Sequence, residues 1–100
     1  MPKMNVKVPH SLGEEIALER VKSLLSNMKQ EYGNQIQNLQ ESWNENAGKF
    51  SFSAMGFSIS GELKVASNQV ELNGKLPLAA LPFKGSIEKS IRQKANELLR

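Results

Sequence analysis

Phe57-Ser58-Ile59-Ser60-Gly61-Glu62-Leu63-Lys64-Val65 alternates apolar and polar residues over its whole length. Side chains on a strand point to opposite faces in turn, so Phe57, Ile59, Gly61, Leu63 and Val65 share one side. Ser58, Ser60, Glu62 and Lys64 take the other. A strand with one oily and one wet face belongs in an antiparallel sheet that is covered on one side only.

Upstream, Phe50, Phe52 and Ala54 alternate with Lys49, Ser51 and Ser53, and Gly56 interrupts the run after Met55. Downstream, Ser67-Asn68 predicts a turn, and Val70, Leu72, Gly74 and Leu76 alternate with Gln69, Glu71, Asn73 and Lys75. Pro77 cannot donate to a ladder and ends this strand. Leu39, Glu41 and Trp43, with Ile36 near the start, predict a further strand over 36–44, and Asn46-Ala47-Gly48 a turn after it. Short connections make all these strands antiparallel neighbours.

The ends of the chain supply the cover. Met4, Val6 and Val8 predict a first strand that stops at Pro9. Ser11-Leu12-Gly13-Glu14 has the form of a capping box, in which the Ser11 hydroxyl and the Glu14 carboxylate satisfy each other's amides. Ala17, Leu18, Val21, Leu24, Leu25, Met28 and Tyr32 then share one side of a helix that closes at Gly33-Asn34. At the other end, Leu78-Ala79-Ala80-Leu81 reads as a short turn before Pro82. Beyond it Phe83, Ile87, Ile91, Ala95 and Leu98 form one apolar stripe at helical spacing. The expected fold is α+β in the order β-α-β-β-β-β-α, an antiparallel sheet with two helices packed on one face, as a single domain spanning 1–100.

Composition narrows the chemistry. With 100 residues the chain suits one core, and with no cysteine it holds neither disulfides nor thiolate metal sites. It has no run of roughly 20 apolar residues, the length of a membrane span, and no signal peptide pattern, so a cytoplasmic protein is expected. The charge of +3 comes from 13 basic and 10 acidic residues. Only the tail is biased, with Lys84, Lys89, Arg92, Lys94 and Arg100 against Glu88 and Glu97, which also suits a helix C-terminus. Nucleic acid is not an expected partner.

No catalytic constellation is present in the pattern. His10 is the single histidine; beside Ser11 it could serve as a base, but adjacent side chains diverge, and a position at a helix mouth explains it as well. Glu14-Glu15 complements the dipole of the helix it opens. Phe50, Phe52, Phe57, Phe83 and Trp43 fall on predicted inward faces, which suits a core better than a base-stacking platform. The opposite face carries Lys49, Ser51, Ser53, Ser58, Ser60, Lys64, Glu71 and Lys75 and can meet a polar partner. Gly61 and Gly74 lack side chains among large neighbours: either a neighbour approaches closely there, or a hollow remains for an apolar molecule.

Two segments, His10-Ser11-Leu12-Gly13 with Ala17 and Val21, and Leu76 to Leu99 with Leu78-Ala79-Ala80-Leu81, Lys84-Gly85, Ile87-Glu88 and Ile91-Arg92, resemble the small bacterial polyhydroxyalkanoic acid system proteins. The resemblance implies a link to polyester granules and brings no catalytic residue or cofactor with it. The element order also resembles a reduced helix-grip fold, in which a curved sheet holds a C-terminal helix. A non-enzymatic role follows as the expectation: an apolar ligand or granule surface held by Phe57, Ile59, Leu72, Phe83, Ile87 and Ile91, in the cytoplasm or at granules. The alternative is a protein-interaction module using the exposed sheet face or the basic helix with Lys89, Arg92 and Lys94.

Overall fold

A computed structural model describes residues 3–54 and 56–100; Met55 and the side chain of Tyr32, both placed above, lie outside the described residues. The elements are β1 (Lys3–Pro9), α1 (Glu14–Tyr32), β2 (Ile36–Asn44), β3 (Ala47–Ala54), β4 (Phe57–Val65), β5 (Gln69–Lys75) and α2 (Lys84–Leu98). One antiparallel sheet runs in the order β1-β5-β4-β3-β2, so the first strand closes against the last and the hairpins follow in sequence. The fold is α+β, as the alternation predicts.

Register places the apolar residues together. Met4, Val6 and Val8 lie opposite Gly74, Leu72 and Val70, while Phe50 and Phe52 lie opposite Gly61 and Ile59. On this face Val6, Val8, Val70 and Leu72 join Ala17 and Val21 of α1, with Val65, Leu76, Ala80 and Leu99, in one buried cluster. Ile87, Ile91, Ala95 and Leu98 of α2 pack against it from the surface side, and no residue of α2 itself is buried. Arg20 of α1 ties down the end of that helix, donating from Nη1 to the carbonyls of Leu98 (3.1 Å) and Arg100. Arg92 of α2 donates to the Lys7 carbonyl of edge strand β1 at 3.1 Å.

The hollow and the close approach raised by the inward glycines are decided here. A Cβ on Gly61 would stand 2.6 Å from the Asn73 carbonyl oxygen and 2.9 Å from Cζ of Phe50. At Gly74 the Met4 methyl would be 3.2 Å away. Gly48, opposite Trp43, would put a Cβ 2.7 to 2.8 Å from three carbons of the indole. Each large side chain therefore folds down over a glycine on the neighbouring strand, and the space is filled.

Three local expectations are corrected. The capping box does not form: Gly13 is the N-cap, at φ +82° where a side chain would be strained, and no side chain caps the helix. His10 performs a related task one step earlier, its Nδ1 accepting the Leu12 amide at 3.2 Å. The first hairpin turns at Glu45-Asn46 rather than at 46–48, because β3 already starts at Ala47. Asn46 holds the turn to the end of β4, exchanging bonds with the Val65 amide (2.9 Å) and carbonyl (2.8 Å). Finally, Leu78–Phe83 is a 3₁₀ helix, and Phe83 belongs to it rather than to the buried stripe of α2.

Candidate functional site

The six residues expected to form a groove divide into two groups. Leu72 is buried in the core, and Phe57, Ile59, Ile87 and Ile91 are half-buried against it. Phe83 instead faces outward, 56% exposed. A broad concavity on the opposite face of the sheet has none of the six in its walls.

Phe83 has other apolar company. Leu78 is 73% exposed and Leu81 48%, and both sit in the same six-residue 3₁₀ segment. Residues three apart eclipse in such a helix, so Leu78 and Leu81 project on one side, while Phe83, three after the buried Ala80, is exposed at the end of the segment. The turn is pinned from below by Leu76 and Ala80, 0% and 2% exposed, and by the Ala80 amide donating to the Pro77 carbonyl at 2.9 Å. Pro77 enters in extended backbone and Pro82 lies inside the segment, so the chain here is stiff. A sequence signal existed: four apolar residues between two prolines. Reading it as a connection hid its outward display.

The other residues weighed for chemistry have structural work. His10 Nε2 lies 3.1 Å from the Ala66 carbonyl while Nδ1 accepts from Leu12, which places the ring proton on Nε2 and joins the start of α1 to the β4–β5 turn. In the basic tail Lys94 pairs with Glu31 at 3.8 Å, Lys84 with Glu88 at 3.9 Å, and Arg92 is engaged with β1. Trp43 donates from Nε1 to Glu41 at 3.1 Å, and Lys22 of α1 lies 5.3 Å above its ring. No helix of the described residues is long and apolar enough to cross a membrane.

A family model described as "Putative polyhydroxyalkanoic acid system protein" matches residues 4–99. The chain is also similar to a solved protein of Thermus thermophilus, TTHA0849, at 13% identity and a TM-score of 0.44, over 98% of this chain and 92% of that one. The comparison with curated proteins finds no match.

Proposed function

Because the chain belongs to the polyhydroxyalkanoic acid system family, we propose that it is a non-enzymatic granule protein that adsorbs to an apolar surface through the Leu78–Phe83 turn. The observation that carries this reading is the turn itself: Leu78, Leu81 and Phe83 stand exposed on a segment whose own base is buried. Such a rigid display loses little conformational freedom when it meets a surface. Covering what these three side chains still expose is worth roughly 3–5 kcal/mol, about half of full burial. That supports reversible adsorption to a continuous apolar phase and falls short of a tight one-to-one complex. A basic docking helix has less support, since of Lys89, Arg92 and Lys94 the last two already have partners within the protein.

The test is co-sedimentation with purified polyester granules or an amorphous polyhydroxybutyrate suspension. Replacing Leu78, Leu81 and Phe83 together by Ser is expected to reduce the bound fraction at least tenfold. Thermal stability is expected to change little, because the side chains removed are exposed. Undiminished sedimentation of a folded triple variant would sink the proposal.

A further inference from the structure

The opposite face of the sheet holds a trough of about 780 Å³ that crosses all five strands. Its floor follows one straight row of outward residues: Lys3 of β1 lies opposite Lys75 of β5, Lys75 opposite Ser60, Ser60 opposite Ser51, and Ser51 opposite Gln40 of β2. The pairing of Lys3 with Lys75 is unfavourable by itself, because like charges directly across a strand pair repel. Neither ammonium has a carboxylate partner among the described ion pairs. In the next row Lys49 and Glu62 pair with each other at 3.9 Å, so the uncompensated charge gathers at the β1–β5 end. One end of the row therefore suits an anion, and hydroxyl and amide donors continue from there.

The spacing says what kind of anion. Adjacent strands stand roughly 4.8 Å apart, so donors recur at that interval along the row. An extended backbone advances about 1.2 Å per bond, and an ester of 3-hydroxy acids has four backbone bonds per unit, which gives a repeat of about 4.8 Å. Such a chain carries acceptors at every unit and a donor only at its hydroxyl end. We propose that the trough binds the carboxylate end of a short hydroxyalkanoic oligoester, with the carboxylate between Lys3 and Lys75 and successive ester carbonyls over Ser60, Ser51 and Gln40. The choice of oligoester rests on the polyester reading above; the anion site rests on the lysine pair alone. None of the residues lining the trough belongs to the Leu78–Phe83 turn, so the two readings are tested by different variants.

The experiment is an NMR titration of the whole chain with linear 3-hydroxybutyrate trimer, its methyl ester, and inorganic phosphate. Saturable shifts at the amides of Lys3, Lys75, Ser60 and Ser51 are expected with the trimer. Binding at least tenfold weaker is expected for the methyl ester, for phosphate, and for a Lys3→Gln/Lys75→Gln variant that melts as the parent does. No saturable shift at these residues, equal affinity for the methyl ester, or undiminished binding by the variant would overturn the proposal. Phosphate binding as tightly as the trimer would overturn the oligoester assignment. The lysine variant is expected to sediment with granules as before, and the Leu78/Leu81/Phe83 variant to bind the trimer as before, so failure of one reading leaves the other measurable.

Discussion

At the β1–β5 end of the sheet the inner face is aliphatic and closed: Met4, Val6, Val8, Val70 and Leu72 are all buried. At the β2–β3 end the inner residues Ile36, Leu39, Trp43, Phe50, Phe52 and Ala54 are only half-buried. The two ends use different covers. The first has helix side chains over it, with α2 packed along β1 and fastened there by Arg92. The second is roofed largely by the sheet's own aromatics. Trp43 lies on Gly48, Phe50 on Gly61, and the Phe50 and Phe52 rings stack with centroids 6.1 Å apart. Glycine on one strand and an aromatic directly across from it thus make a compact lid where helix cover is thin.

This contrast is open to attack by mutation. Leu72→Ala, in the closed end, is expected to cost about 3 kcal/mol, and Phe52→Ala, in the half-open end, about half of that. Urea unfolding of both variants decides it; equal costs would mean that the two ends are equally well sealed. A more specific effect is expected at Gly48. Gly48→Ala forces the Trp43 ring off its seat, an overpacking cost of about 1–3 kcal/mol. In a Trp43→Ala background the same substitution should cost much less, so a double-mutant cycle with no coupling would refute the lid. The smallest effect lies on the wet face of the closed end. There the Asn5 amide donates to Glu71 at 2.9 Å and, with Lys7 and Lys64 nearby, holds its carboxyl below the usual carboxylate range. A carboxyl lowered on folding stabilises the protein at higher pH, and that contribution is lost as the pH falls through the lowered value. Glu71→Gln is therefore expected to be slightly less stable than the parent at neutral pH and to match it in acid. A gap that persists in acid would assign the loss to packing.

Much of the sheet is legible in the sequence, because burial on one side writes a period of two into each strand. The span of β2, 36–44, was readable even in a polar stretch, from Ile36, Leu39, Glu41 and Trp43. The misreadings share a cause. Ser11 and Glu14 had the residue types of a capping box, but Gly13 takes the left-handed backbone and becomes the cap itself. Phe83 continued the spacing of the α2 stripe, yet the prolines put it in a tighter helix with a different phase. Local composition allowed both readings, and the path of the backbone chose between them. The candidate surfaces were less legible still. Leu78 and Leu81 looked like part of a connection, and Lys3 and Lys75 are 72 positions apart until β1 joins β5.

By itself the sequence determined the alternating strands, the two amphipathic helices that could cover them, and the absence of thiol chemistry, since each depends on residue type and near-neighbour spacing. Tertiary structure alone decided that β1 pairs with β5, that aromatics fill the space above inward glycines, that the 3₁₀ turn shows its leucines to solvent, and that two lysines share one end of a polar row. These features require segments distant in the chain to meet at a defined register. Register is a property of the assembled sheet, in which a shift of one residue would exchange its two faces.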